Sequence, residues 1–430
     1  MAIDSTPQTQ RNRSWILTVF TTLLLLLATT GAADAKRPRP DAGAGTETTV
    51  APNDLQLYNE YTSPERTYVS ERVVVHYVVL GIDAPPLNDD DHDGVPDYVE
   101  RIGEAADRAL AYYLQRGFRT PLEDAGGPDS RPDLYISRFA PGTFGVAFPA
   151  LNADGGAFTV IANNLDPSAG RSLASLYGTV AHELFHLVQF SYFGRLAEPE
   201  IPTWILEGSA SGIEARVFQE LDDIVSSLQL RRWFSATQES LTQQSYGAQL
   251  LWSDLDREQP RFLPALLRRL AARPAVGDGV QAVRSTFADV ARAPFAPAFH
   301  RFAVSAADDH GPEIEPLFSL SIGHGRDATI APLAVHYLRP VLPHGGRYAL
   351  VVRFPRGPGS ARVTLTYQLE NSTAGQAPVF GRINGRSSDG GRTLTFAVPR
   401  VLRANARLTS ARLVVSNGGG RAVTYAVSAR

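Results

Sequence analysis

The sequence predicts an α+β fold in which a mixed sheet is followed by a mainly helical region, with a β-sandwich at the C-terminal end. Three observations carry this prediction. First, the β-branched run Val73 to Leu80 (VVVHYVVL) precedes a segment whose apolar residues Val99, Ile102, Ala106, Leu110 and Tyr113 recur at helical spacing. Second, helical periodicity dominates from about Leu173 to Ser305. Third, beyond Pro332 the pattern becomes one of alternating strands, Arg347 to Phe354, Ala361 to Gln368, Arg392 to Val398 and Arg412 to Ser416, divided by Gly, Pro, Asn and Ser turns.

Taken in chain order, the elements begin with an address. Arg11 and Arg13 precede the apolar run Trp15 to Ala28, and small residues lead to Ala33-Asp34-Ala35, the pattern of a secretory signal peptide over residues 1–35. The apolar run is shorter than a bilayer span requires, so no stable membrane anchor is expected after cleavage. Residues 36–55 are rich in Pro, Gly, Ala and Thr and read as a linker or short prosegment. Residues 56–325 are expected to form the main domain, and residues 326–430 the sandwich. Short strands are predicted at Asp133 to Arg138 and Ala157 to Ala162, with the Ala157 to Asn164 segment a candidate sheet edge for pairing with an extended peptide.

Composition bounds the function. The 430 residues carry a net charge of −3 and 43% hydrophobic residues, the balance of a soluble globular chain, and the near-neutral sum gives no sign of a nucleic-acid partner. With no cysteine there is no disulfide, no thiol nucleophile and no lipid-anchored leader. The signal peptide sets the expected location outside the cytoplasm, secreted or periplasmic, and without disulfides metal ions are the remaining staple.

Ala181 to Gln189 (AHELFHLVQ) holds His182-Glu183-Leu184-Phe185-His186. On a helix, positions i and i+4 share a face, so the two imidazoles can converge on one ion while Glu183 stands beside them to take a proton from water. Zinc is the expected metal. With nine histidines and 18 glutamates in the chain, about 0.01 occurrences of H-E-x-x-H arise by chance. The apolar stripe Leu173, Leu176, Val180, Leu184, Leu187 and Val188 supports a buried helix. A hydrolytic site needs a third protein ligand and one open position. A histidine three turns on is excluded, since Gln189 and Tyr192 stand where the metzincin pattern needs Gly and His. Glu207 in Thr203 to Val217 (TWILEGSASGIEARV), 21 residues after His186, is the leading candidate. Gly208, Ala210 and Gly212 are expected to let its helix approach closely. Glu214 is the alternative third ligand, or a group that orients a histidine from behind.

HELFH followed by WILEGSASGIE resembles the gluzincin branch of the zincin metallopeptidases. More narrowly, Gly94 to Glu100 (GVPDYVE), Ala181 to Gln189, Glu207 to Ala210 (EGSA) and Tyr246 to Ala248 (YGA) occur in the order seen in a family of secreted bacterial metalloproteases, so the resemblance spans about Val73 to Leu270. It implies a zincin-like domain, His182 and His186 as zinc ligands, Glu207 as the third and Glu183 as general base. It also suggests a tyrosine downstream of the glutamate helix as donor to the developing oxyanion, and Tyr246 is the candidate. Two departures stand out. No G-x-M-E-N segment exists, which favours endopeptidase over aminopeptidase action on a protein or peptide substrate. The E-x-x-x-D pattern would put an aspartate at Ser211. Two other readings share parts of this evidence: a silent surface-binding protein on the same scaffold, and a zinc hydrolase of non-peptide esters or amides.

A second ion is expected at Asp89 to Glu100. Carboxylates at Asp89, Asp91, Asp93, Asp97 and Glu100, the Val95 carbonyl and Gly94 at the tight turn match the twelve-residue calcium loop. Pro96 removes an N–H that paired loops use, so the loop is expected to be solitary and structural. The seven remaining histidines lack ligand spacing.

Overall fold

The structure, a computed structural model, describes residues 61, 63–122, 129–148, 157–193, 201–221, 227–272, 277–341, 348–371, 379–387, 389–398 and 406–430. The expected signal peptide (1–35) and linker (36–55) lie outside the described residues. The fold is α+β, with three sheets and eight α-helices among the described residues. The chain divides into two compact units, one holding residues up to Asp107 with Leu122–Val180, the other Arg108–Pro121 with Ala181–Arg430.

The first unit is built on a five-stranded sheet from β1 (Glu65–Val69), β2 (Val74–Val78), β3 (Asp133–Ser137), β4 (Gly145–Phe148) and β5 (Phe158–Ala162), in the order β1-β2-β3-β5-β4. β2, β3 and β5 run parallel, with β1 and β4 antiparallel at the edges. Every residue of these three inner strands is buried, which is why the sequence shows continuous apolar runs there and not alternation. The edge expectation for Ala157 to Asn164 is corrected: β5 is interior, and the edge belongs to β4, a four-residue strand too short to show in the pattern. Helix α1 (Asp97–Arg116) buries all five residues of the expected stripe, and its Asp97, Glu100 and Arg116 complement the helix dipole.

His76 of β2 is tied across this sheet. Its Nδ1 lies 2.6 Å from Glu65 Oε1 and its Nε2 3.0 Å from Asp133 Oδ1, and its ring stacks on Tyr135 at 4.4 Å. Burial pulls its pKa down, but the bonds to Asp133 and Glu65 outweigh that and raise it to about 9.

In the second unit α2 (Leu173–Phe190), which begins in the first, is followed by α3 (Thr203–Val217), α4 (Ser227–Ser235), α5 (Gln249–Glu258), α6 (Phe262–Ala272), α7 (Val280–Ala291) and α8 (Phe295–Asp309). Trp204, Trp233 and Trp252 are among the largest fully buried side chains. Trp252 Nε1 donates to Trp204 O at 2.8 Å, fastening α5 to the start of α3.

The C-terminal strands form two sheets over one core. The larger runs β11 (Val379–Asn384), β10 (Ala361–Asn371), β13 (Ala406–Asn417), β8 (Ala334–Val341), β6 (Phe318–Ser321). The smaller runs β12 (Thr393–Ala397), β9 (Ala349–Arg353), β14 (Val423–Ala429), β7 (Gly325–Ile330). Leu338, Leu365 and Leu413 from one sheet meet Leu350, Val352, Phe396 and Tyr425 from the other. The sandwich begins at Phe318, ahead of the expected 326, because β6 pairs with β8. The other face of the larger sheet is covered by α8: Tyr337 Oη donates to Ala303 O at 2.8 Å, and His300 bridges Ser416 Oγ and Thr364 Oγ1, each at 2.8 Å. Sandwich and helices therefore belong to one unit, which strand periodicity alone did not reveal.

Candidate functional site

The site grows from α2 and α3, both in the second unit from Ala181 onward. α2 is buried along its length, and Tyr113 Oη donates to Ala181 O at 2.6 Å just before the first histidine. One helical turn separates His182 from His186, and their rings meet edge to face at 4.8 Å. α3 returns beside them. Its small residues divide by face in a way the sequence reading did not anticipate. Gly208 and Gly212 turn toward α5: a Cβ on Gly208 would lie 2.8 Å from Trp252 Nε1, and one on Gly212 2.7 Å from Trp252 Cβ. The approach to α2 is made instead by Ser209, through Gln189, and by Ser211, whose Oγ lies 3.4 Å from His182 Nδ1.

Each imidazole is held from behind. His182 Nδ1 lies 2.8 Å from Glu214 Oε2, and His186 Nδ1 lies 2.7 Å from Gln189 Oε1. Gln189 Nε2 donates to Leu206 O at 2.9 Å and Ser209 Oγ at 3.0 Å, which fixes the amide so that its oxygen accepts the His186 Nδ1 proton. Both Nε2 atoms then face Glu207 Oε2, at 3.4 Å from His182 and 3.6 Å from His186. Ligand atoms of His182, His186 and Glu207 all lie within 4.8 Å of one another. Two imidazole nitrogens and one carboxylate, each histidine backed by an acceptor, form a donor set that fits zinc. Glu214 thus stands behind His182, while Glu207 faces the inner nitrogens of both histidines.

Electrostatics follow from burial and charge. Burial opposes ionisation of Glu207, yet His186 and His182 hold its carboxyl well below the ordinary range. The same pairing raises both histidines against the pull of burial, with bonds to Glu207 and Glu214 acting on His182 and the Glu207 charge on His186. Glu183, 8% exposed, is pushed up by burial first; the two imidazoles pull it down, and Glu207 and Glu214 push it up again. Such a carboxylate is a stronger base than an exposed one.

Tyr246 reaches the same place from a short 3₁₀ turn, Ser245–Ala248. Its ring stacks on His182 at 5.8 Å, while 37% of the residue stays open to solvent. Burial and Glu207 push that phenol well above the ordinary tyrosine range. The preceding Ser245 has φ of 31°, a left-handed conformation costly for a residue with a Cβ. The sandwich secures the approach to this turn: Leu241 N donates to Leu333 O at 3.0 Å, and Val335 N to Thr237 O at 2.8 Å.

Gln189 is the functional residue the sequence reading left without a role. It stands three positions after His186, a spacing that shares a helical face, and that was the available signal.

At the acidic loop the first unit gathers Asp89, Asp91 and Asp93, whose carboxylate oxygens lie within 4.8 Å of one another. Backbone amides hold them: Gly94 N donates to Asp89 at 3.0 Å and Val95 N to Asp93 at 2.8 Å, with Gly94 at φ 93° as the turn requires. Glu100 faces the same group, its carboxyl raised by burial and by Asp91, Asp93, Asp97 and Asp89. Asp97 accepts from Asp90 N at 2.9 Å and lies 3.5 Å from Arg101, one turn along α1.

No protein-family model matches the chain, and no curated protein matches it in sequence. Among solved structures, the pre-peptidase C-terminal domain of collagenase from Bacillus anthracis is similar over 27% of this chain and 97% of that domain, at 13% identity and a TM-score of 0.18. A score that low supports no statement about fold or function. Among the described residues, no helix is long and apolar enough to cross a membrane.

Proposed function

We propose that the chain is a zinc-dependent metallopeptidase of gluzincin type on a zincin-like scaffold, secreted or periplasmic, cleaving protein or peptide substrates as an endopeptidase. One observation carries the reading: Glu214 and Gln189 occupy both outer imidazole nitrogens, so the inner nitrogens of His182 and His186 and the Glu207 carboxylate face one point. Zinc held there would supply Lewis acidity, polarising the scissile carbonyl and making water easier to deprotonate. Glu183 takes a proton from the attacking water, whose oxygen adds to the carbonyl carbon. As the C–N bond breaks, the same carboxyl passes that proton to the leaving amine nitrogen. Tyr246, partly exposed beside His182, would donate its phenol hydrogen to the oxyanion. Glu214 and Gln189 keep the imidazoles in register throughout. For the loop at Asp89, Asp91, Asp93, Val95, Asp97 and Glu100 we propose structural calcium, supported by the convergence of three carboxylates and by the charges of Asp97 and Glu100 beside them.

The test uses the chain from Lys36 onward and Glu183→Ala, comparing zinc content with cleavage of an unstructured protein. One zinc in each, with cleavage by the first alone and a loss of at least about a hundredfold in the variant, is expected. Zinc with no cleavage by either would overturn peptidase action on such substrates, and a folded chain without zinc would overturn the site.

A further inference from the structure

The near-neutral sum of charges conceals a division along the chain. From Phe318 to Arg430 there are 15 arginines against three acids, Asp327, Glu370 and Asp389, whereas the preceding residues carry 26 basic and 41 acidic side chains. Much of that excess gathers at one end of the sandwich. There the turn residues 354–360, 385–387 with 389–392, and 418–422 lie together, since β9, β11 and β13 end where β10, β12 and β14 begin. Phe354 N donates to Arg392 O at 2.7 Å, joining the first two turns, and a Cβ on Gly419 would lie 2.7 Å from Ser360 Cβ, so the third sits against the first.

Arg353, Arg356, Arg386, Arg392 and Arg421 are all exposed at this end. Arg284 of α7 joins them, its Nη1 3.7 Å from where a Gly420 Cβ would stand. Among the described residues none of the six makes an ion pair, while Arg382 and Arg301 elsewhere in the unit find Asp308 at 2.6 Å and Glu258 at 3.1 Å. The nearby acid, Asp389, is engaged within its own turn by Thr393 N at 2.7 Å and Ser387 Oγ at 3.1 Å. Like charges gathered without counter-charge repel one another and concentrate anions from solution.

We infer that this end of the sandwich docks a linear anionic polysaccharide. Guanidinium forks match carboxylates two bonds at a time, and the turns around them present Ser360, Ser387 and glycine backbone, which can bond to sugar hydroxyls. Other polyanions fit less well. The aromatic rings near this end, Phe354, Phe396 and Tyr425, are buried, so among the described residues no ring offers a stacking platform for bases. None of the exposed large hydrophobic residues described in this unit, Leu114, Tyr246, Leu317 and Val341, belongs to these turns, so the described residues there offer no apolar wedge to a bilayer. The surface is independent of the proposed zinc chemistry.

Binding of the chain from Lys36 onward to polygalacturonate tests this, with neutral dextran and duplex DNA as comparisons. The expected result is binding to polygalacturonate alone, weakened about tenfold between 50 and 200 mM NaCl as contacts with the charged polymer are screened. Replacing Arg356, Arg386, Arg392 and Arg421 with Ser should weaken it about tenfold or more at an unchanged melting temperature. Replacing Arg339 and Arg430, at the other end of the sandwich, should leave it intact, and Glu183→Ala should bind like the unaltered chain. Absence of binding, equal binding by the fourfold variant, or tighter binding to duplex DNA would overturn the proposal.

Discussion

Gln189 shows how much a single neutral side chain can arrange. Its amide oxygen sets the tautomer of His186 while its amide nitrogen grips α3 one residue before Glu207 and two after, so one residue fixes both an imidazole and the distance to the facing carboxylate. Glu214 performs only the first task, for His182, and does so with charge. Gln189→Leu should therefore lower zinc affinity about ten- to a hundredfold in a chelator competition, with the fold retained. Gln189→Glu keeps an acceptor for His186 but loses both donors to α3, so its affinity should fall between the two. Equal affinities in all three proteins would show that Gln189 does not position the site. The H-E-x-x-H pair was legible because i and i+4 share a face whatever surrounds the helix. The role of Gln189 was not, because its partners Leu206 and Ser209 belong to another helix and no spacing rule links them.

At the scale of elements, α3 is defined by what it lacks. Side chains at Gly208 and Gly212 would collide with Trp252, with the Ser245 carbonyl and with the backbone at Gln249 and Ser253. Gly212→Ala must push α3 away from α5, and is expected to cost about 1–3 kcal/mol in urea unfolding. Displacing α3 also moves Glu207 and Glu214, so zinc affinity should fall with stability. An unchanged unfolding midpoint would mean the helices have slack. The sequence reading saw that small residues meant close approach but assigned it to the wrong neighbour, since a glycine does not say which helix needs the space. The acidic loop belongs to this scale too. If calcium fills it, a chelator selective for calcium over zinc should lower the melting temperature of the chain and speed proteolytic nicking near Asp89 to Glu100, and added calcium should reverse both. Melting indifferent to calcium would leave the carboxylates as a solvated turn, with Asp97 serving Arg101.

At the scale of the whole molecule, His76 in one unit and His300 and His336 in the other should respond to pH in opposite directions. In the first, His76 titrates near pH 9 when folded and near 6.5 when unfolded. Its contribution, about 3 kcal/mol at most, is complete below pH 6.5 and is lost as pH rises to about 9. In the second unit, His300 and His336 are buried neutral, with pKa values lowered by burial to about 4. Their contribution is complete above pH 6.5 and is lost as pH falls from 6.5 to about 4, because the unfolded chain takes up protons first. All the tryptophans after Lys36 lie in the second unit, so their fluorescence should report the acid loss, while hydrogen exchange in β2 and β3 should report the alkaline one. Protection of β2 and β3 that is flat from pH 6.5 to 9 would refute a charged His76.

The sequence by itself determined the α+β class, the helix bearing His182, Glu183 and His186, the distance along the chain to Glu207, the alternating strands of the sandwich and the acidic loop. Each is set by local spacing, and local spacing is what a helix or strand repeats. Tertiary structure alone decided that β5 is interior, that Glu214 stands behind His182 while Glu207 faces both histidines, that Gln189 bridges two helices, and that the sandwich shares a unit with the helices through α8. It also gathered the scattered arginines at one end of the sandwich, where the near-neutral sum of the whole chain had hidden them. These facts depend on which faces meet, and burial and hydrogen-bond satisfaction settle that only when all the elements are present together.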